Sequence, residues 1–310
     1  LAGEIKNLHL CFIACGSAYY ASLEAVYFFN KLLKIAPQTT IASEYTLYKN
    51  INLKKTVLLA LSQSGETIDL IEAVNMYRKK GIKVVSLINN MGSTLSRISD
   101  KSFLLNAGPE MAVAATKSFT TMIAYLYVLV YTILGNMAYG LNRINQVANS
   151  IDNILKRKFS IKNIAKILAK SNKIFIIGRE LLYPVALESA LKIKEVTYIH
   201  AEGFAGGELK HGPIALIEKG TPCFVFALND EYLPQIISNA IELKTRGGYI
   251  IGVAPVNNKV FDKWFAVSDI GSISVLEHTV FTQLLSYYIA IFKGLDPDKP
   301  RNLAKSVTVK

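Results

Sequence analysis

Short apolar runs alternate with longer amphipathic ones along this chain, and that alternation predicts its fold class. Residues 8–14, 56–61, 83–88, 173–177, 223–227 and 249–254 are dominated by Val, Ile, Leu, Phe and Ala. Runs this short and this continuously apolar predict strands covered on both faces. Weaker runs at 39–42 and 102–105 predict two more. Residues 18–34, 68–80, 116–134, 183–195, 233–245 and 276–293 carry apolar positions at helical spacing. Gly81 and the pair Gly247-Gly248 supply helix stops. Residues 142–170 are polar and mixed, and predict a helical connection. The expected class is α/β: two tandem subdomains, each a parallel sheet with helices on both faces, plus an irregular C-terminal tail. Their expected bounds are 1–141, a connection at 142–170, 171–293, and a tail at 294–310.

The two halves resemble each other. Ile13-Ala14-Cys15-Gly16 opens a helix, as does Ile176-Ile177-Gly178, and the spacing Thr56…Gly81…Ile88 nearly recurs in Thr221…Gly247…Val253. A duplicated α/β unit explains this. One turn breaks the likeness. The first half has Ser62-Gln63-Ser64-Gly65-Glu66-Thr67, where the second has Ala227-Leu228-Asn229-Asp230-Glu231-Tyr232. The first places three hydroxyls and an amide where a strand becomes a helix. Backbone N–H groups and the positive end of the helix dipole make that a seat for phosphate, and the side chains add donors. The same residue types also suit ordinary helix caps. The second turn, with one hydroxyl and two acids, is poor for an anion.

The composition narrows the partners. At 310 residues, 51% hydrophobic and 19% charged, the chain has material for two α/β domains and is not disordered. Its net charge of +12 raises a nucleic-acid reading. The lysines are scattered over predicted helix faces, with no run of five or more basic residues, so no nucleic acid is expected and an anionic substrate is compatible. Cys11, Cys15 and Cys223 form no C-x-x-C pair, which implies neither disulfides nor a zinc site and fits a reducing cytoplasm. No metal or cofactor is expected. The run 122–134 is too short to span a bilayer and holds three tyrosines, so no membrane partner is expected. Residues 1–7 lack the form of a signal peptide. The start at Leu1 rather than Met leads to the expectation of a fragment, a processed chain or further residues upstream.

Three further constellations carry chemistry. Glu188, Lys192 and Glu195 share one face of the helix expected at 183–195. They form either a solvated ion-pair ladder or an acid–base cluster. Residues 197–217 read as a long, shaped loop containing Gly206-Gly207-Glu208-Leu209-Lys210-His211-Gly212-Pro213. A histidine is a residue type that can move a proton, so His211 either does that or bonds to the loop backbone. In the tail, Pro297 and Pro300 block regular structure, and disorder is the default for a terminus. Residues 301–309 nevertheless regain an ordered pattern, which makes Lys305 a candidate amine nucleophile for a ketone.

Taken together, six segments resemble the sugar isomerase (SIS) domain family. They are Ala14-Cys15-Gly16-Ser17, the 62–67 turn, Ala114-Ala115-Thr116-Lys117, Leu187-Glu188-Ser189-Ala190-Leu191-Lys192-Ile193-Lys194-Glu195, the 207–213 segment and the tail from Arg301 to Val309. Within that family they are similar to the isomerase portion of the glutamine–fructose-6-phosphate aminotransferases, over essentially the whole chain. The resemblance implies that Ser17, Ser62, Gln63, Ser64 and Thr67 bind the phosphate of fructose 6-phosphate, glucose 6-phosphate or glucosamine 6-phosphate. It adds Val113 and Ala304 to the substrate contacts. It implies that Lys305 forms an imine at C2, that Glu195 moves a proton between C1 and C2 with Lys192 beside it, and that His211 opens the sugar ring from the neighbouring subunit of a homodimer. The alternatives are a deglycase or deaminase of phosphorylated amino sugars, and a non-catalytic sugar-phosphate sensor. Ala18 and Ala115 stand where the family often has hydroxyls, and each is expected to cost about 1 kcal/mol of affinity. Nothing in the chain matches the family's glutamine-hydrolysing domain, so glutamine is not expected to serve this chain by itself.

Overall fold

The apolar runs become the inner strands of two parallel sheets in a computed structural model that describes residues 2–5, 9–48 and 55–308. Leu8 of the first expected strand, residues 1, 6 and 7, and Val309 of the tail motif lie outside the described residues. The chain divides into two units, 1–141 with 302–310, and 142–301.

The first unit runs α1 (Ala2–Ile5), β1 (His9–Ala14), α2 (Gly16–Leu33), β2 (Gln38–Ile41), a 3-10 segment at Ala42–Tyr48, and β3 (Thr56–Ser62). It continues α3 (Ile68–Lys79), β4 (Lys83–Ile88), α4 (Thr94–Ile98), β5 (Lys101–Leu104) and α5 (Lys117–Ile133). Its strands lie in the order β2-β1-β3-β4-β5, all parallel. All seven residues of β3 are buried, as a central strand covered on both faces requires. Burying side chains such as Val57, Leu59 and Leu61 contributes roughly 1.5–3 kcal/mol each. The 122–134 run belongs to α5, which packs on α2 with Phe28 and Tyr127 edge to face at 5.2 Å.

α6 (Met137–Lys156) carries the chain onward, and α7 (Lys158–Leu168) packs on the last helix of the second unit. That unit runs β6 (Lys173–Gly178), α8 (Leu182–Thr197), β7 (His200–Ala205), β8 (Pro222–Phe226), α9 (Leu233–Thr245), β9 (Tyr249–Ala254), β10 (Lys263–Ala266) and α10 (Val275–Phe292). Its order is β10-β9-β8-β6-β7, all parallel. Counted from its own first strand, this is the arrangement of the first unit. In both sheets the strand order reverses between the first and third strands, where open α/β sheets bind their ligands.

Three expectations change. The stretch 197–217 is not one long loop: β7 occupies its first part and two 3-10 turns, Gly206–His211 and Pro213–Leu216, follow. β10 has no counterpart among the expected strands. Both are edge strands, paired on one side only, so polar residues such as Glu202 and Lys263 are tolerated and the apolar pattern is diluted. The expected 142–170 connection is two helices that meet at Arg157, and the first of them begins earlier, at Met137.

Candidate functional site

β3 ends at Ser62 and α3 starts at Ile68, so the hydroxyl-rich turn stands at the carboxyl end of the central strand. Gly65 makes that turn possible. Its φ is +68°, and a Cβ there would lie 2.1 Å from the Ser93 hydroxyl oxygen. The turn is tied down on both sides. The Gly65 carbonyl accepts from the Leu95 N–H at 3.0 Å, the Gln63 carbonyl from the Asn89 N–H at 3.2 Å, and the Glu66 carboxylate from the Thr94 N–H at 2.7 Å. That last bond draws the Glu66 carboxyl below the usual carboxylate range. Part of the donor set is already engaged. The Gly65 N–H donates to the Ser62 hydroxyl at 2.9 Å, and the Glu66 N–H to the Ser64 hydroxyl at 3.1 Å. Ser62 is thus buried within the turn, while Gln63 and Ser64 face a cavity of about 740 Å³. Thr67 is the N-cap residue of α3, and its hydroxyl makes no capping bond. Ser17 lies half-buried in the first turn of α2, beyond the end of neighbouring β1.

The tail returns to this cavity. The Ser306 hydroxyl lies 3.1 Å from that of Ser64, and the Val307 carbonyl accepts from the Ile68 N–H at 3.1 Å. The tail is therefore ordered onto the head of α3, and not the free terminus that its prolines also allowed. Lys305 lines the cavity, and its ammonium donates to the Ala112 carbonyl at 2.5 Å. Val113, the next residue, is half-buried, and Ala304 is exposed. The same cavity is lined by Glu110, which sequence reasoning missed. Its Oε1 accepts from the Thr116 hydroxyl at 2.9 Å, and its Oε2 from the Ser118 N–H at 2.9 Å and from the Ser118 hydroxyl. An acid a few residues before Thr and Ser at a helix start was the available signal, because that helix end offers unpaired N–H groups.

In the second unit α8 presents Glu188, Lys192 and Glu195 one turn apart. The Lys192 ammonium lies 2.6 Å from Glu195 and 3.4 Å from Glu188. This is no solvated ladder, since the side chains of Lys192 and Glu188 are only 3% and 2% exposed. Burial alone would push the Lys192 ammonium down, but the two carboxylates outweigh it and hold its pKa above the usual lysine value. Glu195, with its side chain 20% exposed, is the member of the cluster that reaches outward. A carboxylate with an ammonium against it, open on one side, can take and return a proton. His211 ends its 3-10 turn exposed and outside this cluster. The turn beneath it is anchored by buried Leu209, and by Lys210, whose ammonium lies 2.9 Å from Glu242. The counterpart of the phosphate-type turn carries acids here: the Asp230 carboxylate accepts from the Tyr232 N–H at 3.0 Å.

Among the described residues, no group of three or more His, Cys, Asp or Glu side chains is arranged to hold a metal ion, and no helix is long and apolar enough to cross a membrane.

Two α/β units with one strand order, one of them bearing a hydroxyl-rich turn at its switch point, define a tandem parallel α/β fold with an anion-type seat in one half. The chain belongs to the SIS domain family, whose pattern it matches over residues 5–132 and 167–262. It is 39% identical over 314 residues to a glutamine–fructose-6-phosphate aminotransferase (isomerizing) of Pyrobaculum aerophilum, an alignment covering 98% of this chain and 52% of that protein. The chain thus spans about half the length of the curated relatives it matches. Among solved structures, it resembles the C-terminal domain of glucosamine-fructose-6-phosphate aminotransferase from Francisella tularensis, with a TM-score of 0.89 and 32% identity over 96% of this chain and 88% of that one. It also resembles a glucosamine-6-phosphate deaminase of Thermotoga maritima, with a TM-score of 0.79 and 25% identity over 99% and 95% of the two chains.

Proposed function

We propose that this chain binds fructose 6-phosphate and interconverts ketose and aldose, the sugar half-reaction of glucosamine 6-phosphate synthesis. The observation that carries the reading is the cavity of the first unit, where the tail amine of Lys305 and the hydroxyl of Ser64 share one wall system. A phosphate at the 62–67 turn, held by Ser17, Ser62, Gln63, Ser64 and Thr67, anchors the sugar by its far end. Val113 and Ala304 flank the sugar. The neutral Lys305 amine attacks the C2 carbonyl of the open-chain ketose. A C–N bond forms, and the carbonyl oxygen leaves as water, giving a protonated imine. Ammonia adds to that carbon and expels the lysine amine, leaving an ammonia-derived imine at C2, and Glu195 then takes a C1 proton and delivers it to C2. Lys192 holds the Glu195 carboxylate. His211, supplied by the second subunit of a homodimer, assists ring opening. The C1-to-C2 transfer gives glucosamine 6-phosphate; without ammonia, water displaces the lysine instead, and the same transfer on the released ketose passes through an enediol to glucose 6-phosphate. The similarity to aminotransferases of this name, over nearly the whole chain, supports the reading.

The test incubates the chain with fructose 6-phosphate, with and without ammonia, and identifies the products. Lys305→Ala is expected to abolish the borohydride-trapped adduct and to lower turnover at least ~10³-fold. Glu195→Gln is expected to leave the adduct and to lower turnover ~10²–10⁴-fold. Turnover untouched by either substitution would sink the assignment.

The likeness to a glucosamine-6-phosphate deaminase favours a second reading, in which the chain releases ammonia from an amino sugar phosphate. Supplying glucosamine 6-phosphate and measuring ammonia separates the two. Release faster than the forward reaction supports the deaminase.

A further inference from the structure

The cavity that holds the tail amine is also lined by a buried acid. Glu110 sits in the segment between β5 and α5 and is only 9% exposed. Its two carboxylate oxygens are pinned by Thr116 and by both donors of Ser118, at the amino end of α5. The segment before it is pinned as well. The Asn89 side chain donates to the Gly108 carbonyl at 2.8 Å and accepts from the Ala107 N–H at 3.0 Å. Two residues beyond Glu110, the Ala112 carbonyl receives the Lys305 ammonium at 2.5 Å. Glu110 and Lys305 line one cavity. Burial pushes the Glu110 carboxyl up. The Ser118 and Thr116 hydrogen bonds and the Lys305 charge outweigh it and hold the group below the usual carboxylate range. The other charged groups of this cavity region are Glu66, engaged by the Thr94 N–H, and Lys117, whose ammonium lies beside Gly108.

We propose that Glu110 is a positioning residue for the Lys305 amine: a fixed carboxylate that holds the tail lysine in the cavity and favours the cationic nitrogen it carries as an iminium. This rests on the imine reading given above. When the amine adds to C2 and water leaves, the nitrogen keeps a positive charge until ammonia or water adds to C2 and the electron pair returns to it. An anion that cannot swing away stabilises that charge throughout. A helix cap alone would need only the Ser118 and Thr116 bonds. The cavity position and the charge near Lys305 are what a cap does not require.

The test follows the borohydride-trapped adduct of Lys305 with fructose 6-phosphate against pH, together with kcat, KM and thermal unfolding, for the intact chain and two variants. Glu110→Gln keeps the shape and removes the charge. Its trapping midpoint is expected to move to lower pH by on the order of one unit, because the amine loses an anion that favoured its protonated form. Its kcat is expected to fall about 10–100-fold with KM for the sugar phosphate within about threefold. Glu110→Asp keeps the charge and is expected to retain the wild-type midpoint with an intermediate kcat. An unshifted midpoint in the Gln variant overturns the inference, as does an equal loss of kcat in both variants with no shift in either. Should Glu110→Gln fail to fold, a shifted midpoint in Glu110→Asp overturns it. A wild-type chain that forms no Lys305 adduct overturns the imine reading itself, and this inference with it.

Discussion

Glu24 stands ten residues beyond Ala14, the last residue of β1, and Glu188 stands ten beyond Gly178, the last of β6. Each lies on the helix that follows the first strand of its unit, and each is buried. One turn further on, α2 has Phe28 and α8 has Lys192. Glu24 accordingly has no hydrogen-bond partner for either carboxylate oxygen among the described residues, and burial drives its carboxyl well above the usual range. Glu188 has the Lys192 ammonium at 3.4 Å. The same backbone position therefore holds an unpaired acid whose carboxyl burial drives upward in one unit and part of a charged cluster in the other. The difference teaches that this fold does not dictate chemistry at that position. The residue one helical turn away does. The turns after β3 and β8 repeat the lesson with the opposite bias, hydroxyls in the first unit and acids in the second.

Lys192→Met should sharpen this contrast most. It leaves two carboxylates buried without their cation, and a loss of about 3–5 kcal/mol in urea unfolding is expected. The wild-type cluster should itself weaken at high pH. The Lys192 pKa is raised above the usual 10.5, so its contribution is present at neutral pH and is lost as pH rises through the folded value. An unchanged unfolding midpoint would break the claim that α8 depends on its lysine.

Glu24→Met should do the reverse and stabilise the first unit by about 1–2 kcal/mol near pH 8. The sign follows from the raised carboxyl. The native state keeps a proton that the unfolded chain releases above about 4.5, so the wild type loses stability as pH rises from there. The gain should shrink towards pH 4.5 when unfolding is followed across that range. A gain independent of pH would mean that the Glu24 carboxyl is not raised in the folded chain.

The smallest effect separates the two turns. Ser64→Ala removes the contact with Ser306 and the acceptor for the Glu66 N–H. A rise of about fivefold in KM for fructose 6-phosphate is expected, equivalent to about 1 kcal/mol. Asn229→Ala at the corresponding place in the second unit should leave KM unchanged. Equal effects at both would remove the distinction between the turns.

The fold was legible wherever a strand is covered on both faces. β3, β4, β6, β8 and β9 are apolar because both sides are buried, and their runs stand out. β7 and β10 were not, because an edge strand has one unpaired side and no need of a continuous apolar pattern. Of the candidate site residues, the spacing of Glu188, Lys192 and Glu195 put them on one face, but periodicity does not say whether that face is wet. Glu110 escaped because its meaning lies in Lys305, which is 195 positions away in sequence and shares a cavity with it only in the folded unit. Ser62 was legible as a hydroxyl at the turn. That its oxygen is consumed by the Gly65 N–H was not, since the bond depends on the backbone angle that glycine adopts.

The bond from the Ile68 N–H to the Val307 carbonyl makes the chain's own end a competitor at the head of α3. An anion that takes that N–H must first evict a carbonyl already seated there. Its apparent affinity is the intrinsic one scaled by the fraction of time the seat is vacant. A tail docked nine times in ten weakens apparent binding about tenfold. By reciprocity, the anion loosens the tail by the same factor. The loosened segment is the one that carries Lys305, so occupancy at one end of the cavity sets the freedom of the amine at the other.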